Sequence, residues 1–313
     1  MRKFIKNHAN KIIITALIVA AAACGAFFDW RHKSHETQTV FQTLGDESYP
    51  QTIKSEDLAP LPVPPPGRSL HVPILMYHHV GDPPPRANKI RLGLTVSTAN
   101  FAAQINWLSQ HGFTTISLQA LYDRILGKAT SWPGKPIIIT FDDGYQDVFD
   151  NAIPILKQHN FTGTFGIITQ YPSQQQGDNF YAPWPRIAQA KQDGMEIVCH
   201  TQNHFNGKDP KYSAVYIYEN LSGCQQDLSN HLGSAEPFLI YPYGAYTPTY
   251  IEQAQKAGFV MALTIHYGQY VDVADLMQTP RVRINGDESL ARFAKVMSED
   301  YQSASSTPKT AAN

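Results

Sequence analysis

From Val72 onward, short runs of apolar residues alternate with longer segments in which apolar residues recur every three or four positions. A continuous apolar run predicts a strand buried on both faces, and the wider spacing predicts an amphipathic helix. The predicted strands are Val72–Tyr77, Thr114–Ser117, Pro136–Phe141, Thr164–Ile168, Met195–Cys199, Pro237–Tyr241 and Phe259–Thr264. The predicted helices are Ala99–Gln110, Leu118–Leu126, Val148–Gln158, Trp184–Lys191, one within Ala214–Leu232, and Thr249–Lys256.

Strand and helix alternate about seven times, which predicts a parallel sheet covered by helices. We expect an α/β fold in which the strands form a closed or nearly closed (β/α) barrel, with an open doubly wound sheet as the alternative. In a barrel of this kind, catalytic residues lie where the strands end and the following loops begin. The polar motifs of this sequence all fall at such positions.

The N-terminal segment, residues 1–30, is typical of an export signal or membrane anchor. Four basic residues among the first eleven precede an uncharged apolar stretch from Ile12 to Phe28. This arrangement predicts that the following chain is exported, periplasmic or at the cell surface, and associated with the membrane through this segment. Cys24, preceded by small residues, is an alternative lipoprotein processing site.

Three further regions follow the targeting segment. A polar and then proline-rich stretch predicts a linker at 31–71, the alternating pattern predicts a catalytic domain at 72–298, and residues 299–313 are expected to form a disordered tail. The formal net charge is -1 and no basic stripe follows the N-terminus, so we expect no nucleic-acid partner. The sequence identifies no protein partner.

Cys199 and Cys224 are the two cysteines of the predicted domain. They could pair in an oxidising compartment. Because Cys199 ends an apolar strand, where a small buried thiol fits well, free thiols are the favoured prediction.

Two motifs bring together residues suited to metal-dependent hydrolysis. Asp142 and Asp143 leave an apolar strand directly before a glycine, where one carboxylate is suited to a metal and the other to base catalysis; an ordinary turn or helix cap is the alternative. His200 ends another strand and His204 follows one turn later, a spacing at which two imidazoles can face one ion. Two histidines and one carboxylate leave coordination positions open for water and substrate.

These stretches resemble motifs of the polysaccharide deacetylase family (carbohydrate esterase family four). Residues 140–144 are similar to its T-F-D-D-G motif, and residues 200–204 to its H-[S/T]-x-x-H motif. Residues 238–244 resemble the Y-P-Y-G variant of deacetylases that act on exopolysaccharide adhesins, and residues 73–79 and 279–282 resemble the opening strand and the late P-R segment of that subgroup. The resemblance covers roughly residues 72–285.

The resemblance implies a distorted (β/α) barrel that removes acetyl groups from a polysaccharide, with poly-N-acetylglucosamine as the nearest substrate. It implies a divalent metal, usually Zn²⁺ but with Co²⁺, Ni²⁺ or Fe²⁺ as other candidates, held by Asp143, His200 and His204. Asp142 is the implied general base. The backbone N–H of Tyr243 is the implied donor to the oxyanion.

The resemblance leaves the general acid and the partner of Asp142 open. Residues 263–266 are similar to the family's L-x-x-H motif, so His266 is the first candidate for the acid, with His78 or His79 in reserve. Arg281 is the implied partner that keeps Asp142 ionised, and Arg283 is the competing choice.

Aromatic residues near the motifs are candidates for stacking on sugar rings or for ordinary packing: Tyr145, Tyr181, Trp184 and Tyr246. The motifs do not distinguish N- from O-deacetylation or one sugar polymer from another. A non-catalytic glycan-binding module is the alternative outside enzymes. A glycoside hydrolase would need two carboxylates on opposite sides of a bond, which two adjacent aspartates do not provide.

Overall fold

The computed structural model describes residues 69–129 and 131–303, with side-chain surroundings up to residue 298. The predicted targeting segment, nearly all of the predicted linker and the last ten residues lie outside this range. Among the described helices, none combines the length and apolar character that a bilayer span requires.

Fourteen strands occur in the described residues. In chain order they are β1 Ser69–His71, β2 Ile74–Tyr77, β3 His79–Val80, β4 Thr95–Val96, β5 Thr114–Thr115, β6 Pro136–Phe141, β7 Thr164–Ile167, β8 Gln175–Gln176, β9 Asn179–Phe180, β10 Glu196–Cys199, β11 Phe238–Ile240, β12 Met261–Tyr267, β13 Tyr270–Asp272 and β14 Thr279–Arg283. All seven strands predicted from the sequence are present, and β6 has the predicted bounds.

Eight α-helices pack around these strands in the described chain: α1 Lys89–Leu94, α2 Thr98–Gln110, α3 Leu118–Ile125, α4 Ile153–Gln158, α5 Trp184–Gln192, α6 Ala214–Leu232, α7 Pro248–Lys256 and α8 Leu290–Ser303. Short 3-10 turns occupy Pro242–Gly244 and Leu276–Gln278. The single helix predicted at Val148–Gln158 begins instead as a π-helical turn, Val148–Ala152, that continues into α4. The last helix, α8, was not predicted, and it runs five residues beyond the predicted domain boundary at 298.

Seven parallel strands close into a barrel. Hydrogen bonding runs in the order β2–β14–β12–β11–β10–β7–β6, and β6 returns to β2. The short strand β5 extends β6 outside the ring. This closure confirms the predicted (β/α) barrel and excludes the open doubly wound sheet. The ring differs from the prediction in one member, because β14 takes a barrel position and β5 does not.

Alternate residues of the barrel strands belong to two separate apolar clusters. Ile137 and Ile139 pack under the helices, whereas Ile138 joins a second cluster with residues from strands across the ring, among them Val198 and Leu263. This second cluster fills the barrel, so the interior is packed and not a channel. Side-chain chemistry is therefore confined to the strand ends.

The cysteines of the domain form a disulfide between the end of β10 and the middle of α6. The Cα atoms of Cys199 and Cys224 lie 6.1 Å apart. The prediction of free thiols was wrong because α6 packs against the same face of β10 to which the Cys199 side chain points. That contact joins residues 25 positions apart and leaves no local pattern in the sequence.

Candidate active site

The predicted site residues converge at the carboxyl end of the barrel. His78 follows β2, Asp142 and Asp143 follow β6, and His200 follows β10. Strand register aligns these ends, since Tyr77 pairs with Phe141 directly before the histidine and the aspartates. The sheet itself thus brings together residues that are far apart in the sequence.

Asp143, His200 and His204 form one compact cluster. Oδ1 of Asp143 lies 3.1 Å from Nε2 of His200 and 3.2 Å from Nε2 of His204. All three potential ligand atoms lie within 4.8 Å of one another. The Nδ1 atom of His200 lies 2.8 Å from the carbonyl oxygen of Ile240, which can only accept, so Nδ1 carries a proton and Nε2 is the ring nitrogen that faces the cluster.

The backbone around this cluster adopts the left-handed conformation at four non-glycine residues. The φ angles are 74° at Asp143, 64° at Thr201, 59° at His204 and 60° at Tyr243. Such residues cost about 1–3 kcal/mol each and persist only where their surroundings hold them. One local contact does so, since the His204 N–H donates to Oγ1 of Thr201 at 2.9 Å.

Asp142 is clamped by Arg281, a residue that is only 1% exposed. The guanidinium donates from Nη1 to Oδ1 at 2.7 Å and from Nη2 to Oδ2 at 2.8 Å. Its remaining donors reach the Thr264 carbonyl at 2.8 Å and Oγ1 of Thr140 at 3.0 Å. Arg281 and not Arg283 therefore contacts Asp142; Arg283 instead donates to Asn285.

These partners keep both carboxylates ionised. Burial alone would raise the pKa of Asp142, but the charge and hydrogen bonds of Arg281 outweigh burial and lower that pKa below its ordinary value. Burial opposes ionisation of Asp143 too, yet the hydrogen bonds from His200 and His204 hold its pKa well below the usual range. The contact with Asp143 raises the pKa of His200, although burial acts to lower it.

His78 stands beside the aspartates, and His79 is engaged elsewhere. Nε2 of His78 lies 3.9 Å from Oδ2 of Asp142, and burial lowers the pKa of His78 although both aspartates act to raise it. His79 is fully buried, with Nδ1 at 2.7 Å from Oδ2 of Asp147 and Nε2 at 2.6 Å from Nη1 of Arg91. His78 is therefore the histidine of this pair that faces the site.

The structure does not bring His266 to the aspartates. Its side chain is exposed near the end of β12, and its ring packs edge-on against Tyr246 with the centroids 5.9 Å apart. Within the described chain, no hydrogen bond joins the His266 side chain to the Asp143 cluster. His266 lies at the rim of the barrel mouth.

The aromatic candidates divide between the site and the packing around it. The Tyr145 ring stacks on His79 at 3.8 Å, and Tyr145 forms an isolated β-bridge with Tyr181. Burial and the neighbouring charge of Asp143 raise the pKa of both tyrosines, that of Tyr181 to about 12. Trp184 instead stacks on His231 at 4.1 Å, away from the motifs.

Tyr243 and Tyr246, at the barrel mouth, have different surroundings. Tyr243 is 59% exposed, and its ring lies 4.6 Å from that of His204. Tyr246 donates its hydroxyl to Gln278 at 2.6 Å. The motifs did not indicate Thr140 and Thr264 as partners of Arg281, because these contacts depend on barrel closure.

A closed parallel barrel with titratable residues gathered at its carboxyl end defines the class of (β/α)-barrel enzymes. Residues 130–262 match the model of the polysaccharide deacetylase family. This stretch, less than half of the chain, is similar to polysaccharide deacetylases, and the similarity supports a hydrolase.

Relatives of known sequence share about a quarter of their residues with this chain. YxkH of Bacillus subtilis, named as a polysaccharide deacetylase, is 25% identical over 224 residues, which cover 71% of this chain and 74% of YxkH. A poly-beta-1,6-N-acetyl-D-glucosamine N-deacetylase of Staphylococcus aureus is 25% identical over 202 residues, covering 62% of this chain and 69% of the relative. The match spans only 35% of the Escherichia coli O157:H7 protein of the same name.

Solved structures include the deacetylase PplD of Streptococcus pyogenes, in complex with acetate. It superposes with a TM-score of 0.65 at 25% identity, covering 74% of this chain and 99% of PplD. The similarity therefore extends over the whole of that domain.

Proposed function

We propose that this protein is an exported, metal-dependent N-deacetylase of a polysaccharide that contains N-acetylglucosamine. The observation that carries the proposal is the compact cluster of Asp143, His200 and His204 beside a second carboxylate, Asp142, clamped by Arg281. The names of the staphylococcal and Escherichia coli relatives support N-acetylglucosamine polymers as the substrate class.

The cluster fits a divalent cation by its donor chemistry. One carboxylate oxygen and two Nε2 atoms, one of them fixed in tautomer by the Ile240 carbonyl, make a three-ligand set that leaves positions open. Imidazole and carboxylate together suit Zn²⁺ best, with Co²⁺, Ni²⁺ and Fe²⁺ as alternatives. When bound, such a cation supplies Lewis-acid chemistry, polarising an acetyl carbonyl and acidifying water.

Asp142 acts as the general base in this proposal. Arg281 keeps the carboxylate ionised and fixes its orientation through two charge-assisted hydrogen bonds, so it is ready to accept a proton from the attacking water. The backbone N–H of Tyr243 donates to the oxyanion that develops on the acetyl group. The left-handed residue Tyr243 lies three positions after the end of β11, and its ring packs near that of His204, which suits this role.

The proton for the leaving amine comes from His78 in this proposal. An amide does not readily expel an unprotonated amine, so an acid must stand near the reacting carbon. His78 is 3.9 Å from Asp142, whereas His266 lies at the rim against Tyr246. His78 therefore takes the role for which the sequence motif favoured His266.

The disulfide between Cys199 and Cys224 supports export, because such bridges persist mainly in oxidising compartments. Attachment to the membrane through the N-terminal segment, by an uncleaved anchor or by lipidation of Cys24, belongs to the same proposal.

Acetate release tests the function directly. Purified protein is incubated with poly-β-1,6-N-acetylglucosamine, chitooligosaccharides and acetylated xylan, with and without a chelator. We expect release from an N-acetylglucosamine polymer that chelation and Asp142→Asn abolish, while Glu252→Gln, which removes an exposed carboxylate on α7, retains full release. Glycan binding without acetate release from any of these polymers would instead indicate a binding module.

A further inference from the structure

One face of α6 lies along the segment that carries both candidate histidine ligands. We call residues 199–204 the histidine loop. The α6 residues that contact this loop are spaced four, three, one and three positions apart, which places them on one side of a helix. They are Tyr216, Asn220, Gly223, Cys224 and Asp227.

Asn220 is bonded to two consecutive residues of the histidine loop. Its Oδ1 accepts from the Gln202 N–H at 2.9 Å, and its Nδ2 donates to Oδ1 of Asn203 at 3.0 Å. The other end of the Asn203 amide donates to the Tyr216 hydroxyl at 2.7 Å. Asn220 is nearly fully buried, so these bonds form with little competition from water.

Asp227 connects the same loop to the loop after β7. One of its oxygens accepts from Oγ1 of Thr169 at 2.6 Å and from Nε2 of Gln202 at 2.8 Å. The Thr169 N–H in turn donates to the carbonyl of Thr201 at 3.1 Å. A single carboxylate thus holds two neighbouring loops at the barrel mouth.

Gly223 and Cys224 keep the helix close to the loop. A Cβ atom at Gly223 would lie 2.6 Å from the Gln202 side-chain amide, so a larger residue there would require that amide to shift. Cys224 is bonded covalently to Cys199, the residue immediately before His200.

The histidine loop needs such support because of its backbone. Thr201 and His204 both have positive φ, a conformation that persists only when the surrounding structure holds it. No strand or helix includes residues 200–204; backbone hydrogen bonds to residues 167–170 hold His200, Thr201 and Gln202, but none is shown for Asn203. The contacts from α6 lie on either side of Thr201 and between the two histidines.

We infer that this face of α6 is a template that holds the histidine loop in its ligand-binding conformation, with Asn220 and Asp227 as positioning residues for His200 and His204. The inference rests on the proposed function, since it takes the two histidines as metal ligands. Neither positioning residue contacts the cluster. Their loss therefore acts on metal affinity through the conformation of the loop.

The test measures Zn²⁺ affinity of the metal-stripped full chain by competition with a chromophoric chelator. Asn220→Ala and Asp227→Ala should weaken Zn²⁺ binding about 10-fold or more, as the loss of supporting hydrogen bonds does at other metal sites. Asn220→Asp and Asp227→Asn keep the volume and part of the bonding, so they should show smaller losses. Glu219→Gln removes an exposed charge from the same helix and should leave the affinity unchanged.

Thermal unfolding of each metal-free variant, measured in parallel, separates positioning from general stability. Affinities are compared at a temperature where every variant is folded. If an alanine variant unfolds, the comparison uses Asn220→Asp and Asp227→Asn. Zn²⁺ affinity within twofold of the unmodified protein in all four variants would overturn the inference and leave the proposed function standing. Failure of the unmodified protein to bind Zn²⁺ more tightly than His200→Ala would instead overturn the proposed function.

Discussion

Replacing Arg281 by methionine should leave a buried charge without its partner. Methionine has a similar length but no donor, so the change removes both bonds to Asp142 and those to Thr264 and Thr140. Breaking a buried ion pair by removing one partner costs about 3–5 kcal/mol. We expect the free energy of unfolding at pH 7 to fall by that amount.

The loss should depend on pH with a defined sign. In the unmodified protein, Arg281 lowers the pKa of Asp142, so the pair stabilises the fold above the ordinary carboxyl pKa, and this contribution fades as the pH falls through the lowered value. In Arg281→Met, burial raises the pKa of Asp142 without the opposing charge and hydrogen bonds of Arg281, and the penalty appears once the pH rises above about 4, where the unfolded carboxyl ionises. The stability difference between the two proteins should therefore widen from pH 4 to pH 7.

Urea unfolding across this pH range, with a chelator present throughout, measures the difference. The double variant Arg281→Met/Asp142→Asn is the control, because it removes the orphaned charge together with its partner. It should be more stable than Arg281→Met alone at pH 7. A difference below about 1 kcal/mol, of the size seen for exposed pairs, or one independent of pH, would refute the account of Asp142 as a buried carboxylate held ionised by Arg281.

Other outcomes follow from the same structure. Cys224→Ser opens a bridge between residues 25 positions apart and should cost about 3 kcal/mol in unfolding free energy, with dithiothreitol lowering the melting temperature of the unmodified protein but not of the variant. His78→Asn should lower kcat for N-acetylglucosamine polymer about 100-fold or more and affect p-nitrophenyl acetate far less, because only the amine needs a proton to leave. His266→Ala should keep kcat within about threefold, a change far below the loss of a general acid; a larger loss there than at His78 would reverse the two assignments.

The barrel was predictable because its strands are buried on both faces. Residues 136–141 centre on the apolar run Ile137–Ile139 with a glycine shortly after, and the structure gives a strand with the same bounds. The closing strand β14 was not predicted as a strand because it contains a proline and two arginines. Arg281 is buried because it pairs with Asp142. The local sequence around Arg281 does not show that such a partner exists.

The site was predictable where its residues follow strands and cluster in motifs. Asp142, Asp143, His200 and His204 were marked by their own short stretches of sequence, and barrel closure brings them together. The disulfide and the polar face of α6 were not marked in this way. Each depends on which face of a helix lies against a strand end. The position of His266 also depends on the fold, because β12 continues past Thr264 and carries His266 to an exposed position near the strand end.

Anomalous X-ray diffraction from crystals soaked in Zn²⁺, recorded above and below the zinc absorption edge, tests the central claim most directly. The account predicts one strong peak in each chain, within coordination distance of Asp143, His200 and His204, and its disappearance in His200→Ala. A saturating soak that shows no peak at these three residues, or zinc bound only at other positions, would contradict it.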